Sequence, residues 1–483
     1  MTVSRVSRCA VFLLAALSTA PAWSADAEQP AVDPAVLARI RDAALSSDWA
    51  WQRLSDLTDK IGPRLSGSPG AEAAVVQVAA ALQAAGLTVT LQPAKVPHWV
   101  RGEEQAELVD YPGHPAGLTQ HLHLTTLGGS VATPKKGLTA PVLVVHSFDD
   151  LKAHAAEAKG RIVLFDNAFD QDLADNGHAM SAYGQAVAYR VQGASAAARV
   201  GAVASLIRSV GGANFRLPHT GVMKYEDDAP KIPTAALTAE DAMWVARLAA
   251  QGPVSLHLTL TPQTLPDADS HNVLADLPGS DKPDEVVVVS GHLDSWDLAQ
   301  GAIDDGAGIT AAMGAVQVLK SLGLQAHRTI RVVGWMNEEN GSGGSKAYFA
   351  AVKDKLAQQT AVIESDSGAG KPLGVIASVT LDSLAKLSAV TAALQPIGAT
   401  ALERRDGEVG ADISPLQDAG VPGFAPMVDT REYFYYHHTA ADTLDKIKPE
   451  NLRRQVATMA VLAYYLAEMP EALPRVPVAK AEK

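Results

Sequence analysis

A single cysteine, Cys9, stands in the 483 residues, so neither an internal disulfide nor a thiolate metal cluster is available. Aromatic residues are also scarce, at 5% against 47% apolar residues in all. The core must therefore be built from Ala, Val and Leu, as in an ordinary globular α/β protein. Positive charge is short. The 40 Lys and Arg against 53 Asp and Glu leave a net charge of -13, with no basic block anywhere. That argues against a nucleic-acid partner, because phosphate binding needs clustered Lys and Arg. The apolar run Cys9 to Leu17 is too short to cross a bilayer. No repeat, coiled coil or low-complexity segment is present.

The N-terminus reads as an export signal. Arg5 and Arg8 form a charged start, Cys9 to Leu17 an apolar middle, and Ala22-Trp23-Ser24 a small-residue cleavage site. Residues 1–24 are thus expected to be removed, placing the protein in a secreted or periplasmic location with no membrane span. Cleavage also removes the only thiol, which suits export and leaves stability to core packing.

The chain is too long for one domain. Residues 36–60 and 70–86 show helical periodicity, with Gly67-Ser68-Pro69-Gly70 as the turn between them. Leu87 to Gln92 alternates like a strand. Residues 118–262 change character. They hold short strands at Pro141–Val145, Arg161–Phe165 and Val203–Ile207, an alanine-rich helix at Tyr189–Val200, and a cleanly alternating strand at Val254–Leu260. This stretch reads as an inserted, β-rich, non-catalytic module. From Asn272 onward the pattern is strong. Glu285–Ser290 carries four consecutive valines, as a strand buried on both faces does. Thr329–Met336 and Ala361–Ile363 are two more apolar strands. Helical stretches at Gly308–Leu322, Ser345–Leu356 and Asn451–Leu466 alternate with them. The expected fold class is α/β, with a central mixed, mostly parallel sheet flanked by helices. The Pro/Ala/Lys-rich tail, 471–483, is expected to fray.

In open α/β sheets, sites gather at the carboxyl ends of strands. The valine strand runs into Gly291-His292-Leu293-Asp294, the second strand into Asn337-Glu338-Glu339-Asn340, and the third into Glu364-Ser365-Asp366. Between the first two lies the glycine-rich turn Gly301-Ala302-Ile303-Asp304-Asp305-Gly306, and near the end Tyr435-Tyr436-His437-His438-Thr439. Buried charge is costly unless paired or metal-bound. Singly, each group has a plain reading: a structural His–Asp pair, a solvated Glu–Glu run, an ordinary Asp–Asp–Gly turn. Their joint occurrence at strand ends points to one shared site. Imidazole and carboxylate without thiolate suit zinc, and also manganese or cobalt, in an open catalytic site. Two metals need a bridging carboxylate, for which an Asp in the glycine-rich turn is a candidate. In Glu338-Glu339 one carboxylate can bind metal while its neighbour takes a proton from bound water.

At these residues the chain resembles the co-catalytic zinc metallopeptidases that include bacterial leucyl aminopeptidases and glutamate carboxypeptidase, most of all the carboxypeptidase Q subgroup. Gly291 to Asp297, Gln300-Gly301-Ala302, Asp304-Asp305-Gly306 and Gly62 to Ser68 carry that resemblance. It spans about 25–105 and 265–470. Ala158 to Leu164 and Ile232 to Ala236 resemble a protease-associated insert. The resemblance implies a zinc-peptidase fold divided as 25–117 and 263–470, with 118–262 inserted. It implies two Zn²⁺ per chain. His292 and Asp366 would bind one, Glu339 and His438 the other, and Asp304 both. Glu338 would be the general base and Asp294 a carboxylate orienting His292. In the family a ligand His is followed directly by Thr or Ser, with Asp-Thr shortly after, so the resemblance implies His438, before Thr439 and Asp442-Thr443, over His437. The family's bridging Asp precedes the second acidic residue, so the resemblance implies Asp304 over Asp305.

The implied activity is hydrolysis of dipeptides or short peptides from one end, as an aminopeptidase, carboxypeptidase or dipeptidase, with Tyr433 as a possible aid to the oxyanion. Arg404, Arg405 and Arg431 are candidate binders of a free carboxylate. Trp296 and Tyr433 to Tyr436 are candidate pocket walls. Two rivals stand beside this reading: a single-zinc glutaminyl cyclase-like acyltransferase, and a non-catalytic receptor-like binding module. The insert is read as a lid or as a spacer in a possible homodimer; as the functional part it would bind protein or glycan.

Overall fold

The computed structural model describes residues 32–211 and 215–477. The expected export signal at 1–24 and the last part of the expected tail, 478–483, lie outside the described residues. Among those residues no helix is long and apolar enough to cross a membrane.

The four valines Val286 to Val289 lie within the strand Lys282–His292 and are all buried. Alternate side chains of a strand point to opposite faces, and here the two faces meet different cores. Val287 and Val289 pack with the helices Ala307–Ser321 and Pro449–Glu468. Val286 and Val288 pack with Trp335, Tyr348, Val362 and Leu416. A strand covered on both sides has no need of polar alternation. It sits in the middle of an eight-stranded sheet, in the order Thr88–Val100, Gln263–Leu277, Arg328–Trp335, Lys282–His292, Gln359–Glu364, Gly423–Val428, Pro372–Ser378, Ala401–Arg404. The four central strands, Arg328–Trp335 through Gly423–Val428, run parallel, so their carboxyl ends share one edge. Both strands at the Thr88–Val100 end run antiparallel to their neighbours. At the other end Pro372–Ser378 is antiparallel to Gly423–Val428 and parallel to Ala401–Arg404. The sheet is mixed and mostly parallel.

The helical stretch expected at 36–60 is two helices, Pro34–Leu45 and Trp49–Lys60. Serines separate them. Ser46 Oγ donates to the Asp42 carbonyl at 2.9 Å, and Ser47 Oγ accepts from the Trp49 N–H at 3.3 Å. Such side-chain bonds offer the backbone an alternative to the helix ladder. The turn expected at Gly67–Gly70 opens the helix Pro69–Ala84, capped by Ser68 Oγ.

A second eight-stranded sheet contains only strands that lie between Thr88–Val100 and Gln263–Leu277 in sequence. The strand Glu104–Asp110 belongs to it, so this sheet begins ahead of residue 118. Four of its strands, Leu138–Val145, Ile162–Phe165, Ala204–Arg208 and Thr234–Leu237, run parallel. The helices Ala179–Arg199 and Ala239–Ala249 cover it, making it more α/β than the expected strand-rich module. The two halves are pinned by Arg101, just after Thr88–Val100. Its guanidinium contacts the Asp297 carboxylate at 2.9 and 3.0 Å and Thr125 Oγ1 at 2.6 Å.

Candidate metal centre

The carboxyl edge of the parallel strands carries His292, Asn337-Glu338-Glu339 and Asp366 to one place. Two further loops bring Asp304 and His438. Asp304 sits between two imidazoles: its Oδ1 is 3.0 Å from His292 Nε2 and its Oδ2 is 3.1 Å from His438 Nε2. His292 Nε2 is 3.4 Å from Asp366 Oδ1, and His438 Nε2 is 3.0 Å from Glu339 Oε2. Two trios result, His292–Asp304–Asp366 and Asp304–Glu339–His438, sharing Asp304 through different oxygens. All five residues named from the sequence as ligands are therefore together.

The donors suit a metal. His292 Nδ1 lies 2.9 Å from the Asp294 carbonyl. A carbonyl only accepts, so Nδ1 carries a proton and Nε2 is left facing the carboxylates, where it calls for a second proton or a metal ion. Lone pairs facing carboxylate oxygens repel unless a cation lies among them. Ligands about 2.0–2.2 Å from a tetrahedral zinc stand roughly 3.3–3.6 Å apart, close to the 3.0–3.4 Å separations seen here. A crevice of about 10 Å³ borders Asp304, Glu339 and His438, roughly the space one water-sized sphere fills.

The electrostatics agree. Burial alone would raise Asp304, yet His292, His437 and His438 hold its carboxyl well below the ordinary range. Burial opposes charging of His292 and His438, but Asp304 with Asp366 or Glu339 lifts both well above an ordinary histidine. Glu339 is pushed up to about 7 by burial and then by Asp304. Glu338 rises well above its usual value, first by burial and then, against the pull of His292, by Asp366, Glu339 and Asp304. A buried site this rich in carboxylate favours a bound cation.

The neighbouring carboxylates have other tasks. Asp305 Oδ2 accepts from the His292 N–H at 2.9 Å and Oδ1 from the Gly308 N–H at 3.0 Å, opening the helix Ala307–Ser321. Glycine is required opposite it. A Cβ at Gly308 would come within 2.2 Å of Asp305 Oδ1. The Asp294 carboxylate, expected to orient His292, is 3.8 Å from His292 Nδ1. It accepts instead from the N–H groups of Asn337 and Glu338 through Oδ1, at 2.7 and 3.1 Å, and of Glu339 through Oδ2, at 3.3 Å. Asp294 thus orients the imidazole with its main chain and shapes the Glu338–Glu339 loop with its side chain. Asp442 accepts from the Ile303 and Asp304 N–H groups at 2.6 and 3.2 Å and holds the bridging turn.

Arg64 is fully buried. It donates to the carbonyls of Leu293 at 2.8 Å, Gly62 at 3.0 Å, Gln300 at 2.5 Å and Gly301 at 2.9 Å. One side chain thus ties the loop after His292 to the turn before Asp304. Arg64→Met is expected to leave these carbonyls unpaired, to lower stability by about 3 kcal/mol or more in urea unfolding, and to reduce kcat as the turn loosens. Unchanged stability would remove Arg64 from the scaffold.

Beside the centre lies a cavity of about 530 Å³, whose walls include Ile303, Gly368, Tyr433, Lys371, Arg431 and Lys448. Ile303 adjoins Asp304 and Gly368 follows Asp366 closely, so the cavity neighbours the two trios. Arg431 lines it, with its guanidinium on Asp429. Arg404 and Arg405 instead pair with Asp406 and Glu403 around the edge strand Ala401–Arg404. Tyr433, Tyr435 and Tyr436 are cavity walls, and Trp296, edge-on to His438 at 5.8 Å between centroids, is a wall of the small crevice at Asp304, Glu339 and His438. His219, which no sequence pattern marked, is buried against His437 and His438.

Known proteins can be set beside this geometry. A model of peptidase family M28 matches residues 272–463, the stretch that carries every residue of the two trios. Carboxypeptidase Q of Mus musculus is 42% identical over 428 residues, covering 88% of this chain and 87% of that protein. The chain belongs to peptidase family M28. A crystal structure of an M28 peptidase precursor from Shewanella amazonensis matches with a TM-score of 0.86 at 36% identity, over 92% of this chain and 98% of that one. An aminopeptidase from Aneurinibacillus sp. strain AM-1 shares the fold, with a TM-score of 0.63 at 20% identity over 92% and 98% of the two chains. As an M28 member the chain is a zinc-dependent metallo-exopeptidase.

Proposed function

We propose that this M28 peptidase hydrolyses dipeptides or short peptides at a centre holding two zinc ions, and that it acts outside the cytoplasm after loss of residues 1–24. One observation carries the two-ion reading. The two oxygens of Asp304 each face a different imidazole, and each imidazole has its own second carboxylate. His292 and Asp366 would hold one ion, Glu339 and His438 the other, and Asp304 both. When bound, such a pair acidifies water and polarises a carbonyl.

The chain's own groups do the rest. Glu338, on the loop shaped by Asp294, takes the proton of the attacking water and returns it to the leaving amine. Tyr433 is raised well above an ordinary tyrosine by burial and then by Asp304 and Asp366. It stays protonated, able to donate to the developing oxyanion. The cavity beside the centre receives a substrate side chain, and its cations offer partners for a free carboxylate.

A panel of dipeptides with free and blocked ends, with and without chelator, tests this reading. Unblocked dipeptides are expected to be cleaved, chelator to abolish cleavage, and zinc to restore it at two ions per chain by elemental analysis. Survival of activity with a blocked amino end would assign the carboxyl terminus as the recognised end. Cleavage of none of them would overturn the proposal. One zinc per chain with cyclisation of an N-terminal glutamine would replace it with a cyclase.

A further inference from the structure

His219 lies between the strands Ala204–Arg208 and Thr234–Leu237 of the second sheet, yet it touches the metal centre of the first. His219 and Thr220 grip His437 and His438 through three contacts. The Thr220 N–H donates to the His438 carbonyl at 2.9 Å. The Thr220 carbonyl lies 3.3 Å from His438 Nδ1. His219 Nε2 lies 3.1 Å from His437 Nδ1.

Acceptors that cannot donate fix the protons. The Thr220 carbonyl only accepts, so His438 Nδ1 is protonated and its Nε2 is the atom left to a metal beside Glu339 and Asp304. The adjacent residue is reversed. His437 Nε2 is 3.2 Å from Asp304 Oδ2. A carboxylate only accepts, so here Nε2 carries the proton and Nδ1 is the lone pair. His219 Nε2 must then donate to it, which leaves His219 Nδ1 bare. That atom is buried without a partner, a state a bare nitrogen tolerates better than a buried N–H does.

We propose that His219 is a positioning residue of the metal centre: through His437 it holds the Asp304 carboxylate, and with Thr220 it imposes opposite tautomers on two adjacent histidines. The inference rests on the reading of Asp304 and His438 as ligands. Further geometry supports it. His438 sits in the left-handed region at φ 59°, which a residue with a side chain keeps only when its surroundings over-determine it. The Thr220 contacts supply that constraint. His219 is itself anchored, its N–H on Ser209 Oγ at 2.9 Å and that hydroxyl on the Leu237 carbonyl at 2.6 Å. Approach is close: a Cβ at Gly211 would lie 2.8 Å from the Phe434 carbonyl and 3.2 Å from the His219 ring. The second sheet is therefore a working part of the metal centre.

The test is the rate at which the zinc-loaded protein gives up metal to a chelator. His219→Phe keeps an aromatic ring and its stacking but has no donor, and is expected to release zinc about 10-fold faster, the low end of what losing a ligand's direct outer partner costs, because His219 acts on Asp304 through His437. His219→Gln keeps an amide donor and is expected to stay within about 3-fold of wild type, well below that loss. Release by His219→Phe at the wild-type rate would overturn the proposal. Should His219→Phe not fold, ring-nitrogen NMR of histidine-labelled wild-type protein decides alone. His437 protonated at Nε2 and His438 at Nδ1 are expected, and His437 protonated at Nδ1 would refute the assignment. Failure of the two-zinc peptidase reading would appear separately, as wild-type protein that binds no zinc and cleaves no peptide.

Discussion

Replacing Glu338 by glutamine is expected to lower kcat by about 10²–10⁴-fold, the span general acid–base catalysis supplies, while zinc content and KM stay near wild type. Glutamine keeps the size and polarity of the side chain and can neither take nor return a proton. The backbone at Glu338 is held by Asp294 at 3.1 Å independently of the Glu338 carboxyl, so the loop survives the change. The environment favours a group that works in both directions. Burial and the acids around it raise the Glu338 carboxyl well above its ordinary value, so that it can carry a proton to a leaving amine. Bound cations pull the other way and let it act as a base toward water. Dipeptide kinetics run beside elemental analysis of the same sample check this. A Glu338→Gln protein with wild-type kcat would move the proton transfer to another residue; one that loses zinc would make Glu338 a ligand.

The strand ends of the catalytic sheet were legible because four consecutive valines suit only a strand covered on both faces, and Val286 to Val289 do divide between two cores. The gathering of the candidate ligands was legible for a related reason. His292, Glu339 and Asp366 each follow such a strand at the shared parallel edge. The strands Pro372–Ser378 and Gly423–Val428 were not read, since Pro372, Gly374, Gly423 and Pro426 interrupt the pattern that marks a strand. Gln263–Leu277 was not read as a strand either, because its first residues are polar and exposed. Within the site, two kinds of information were absent from the order of residues. Asp304 and Asp305 are the same chemistry in one turn, and only the path of the backbone sends one toward the imidazoles and the other to the helix start. Arg64 and His219 act on loops distant in sequence, Arg64 on main-chain carbonyls that no side-chain pattern reveals and His219 across the join between the two sheets.

Asp304→Ala and Asp305→Ala are expected to separate the two adjacent carboxylates completely. Asp304 faces both imidazoles through different oxygens. Its removal leaves each ion only two of its side chains, His292 with Asp366 or Glu339 with His438, where an open zinc site needs three protein ligands. Loss of such a shared ligand should weaken binding by more than the roughly 10–100-fold that outer partners cost, so the protein should purify without zinc and show no turnover above background. Relief of crowding among the acids offsets part of the loss in stability, so the chain is expected to remain folded. Asp305→Ala should do the reverse. It strips two buried N–H groups, those of His292 and Gly308, of their acceptor, at a cost of about 2–4 kcal/mol, while both trios remain intact. Zinc content near wild type with a lower midpoint in urea is the expected result. If Asp305→Ala were the variant that lost zinc and Asp304→Ala the one that lost only stability, the bridging role would pass to Asp305 and the geometry of both trios would have to be redrawn.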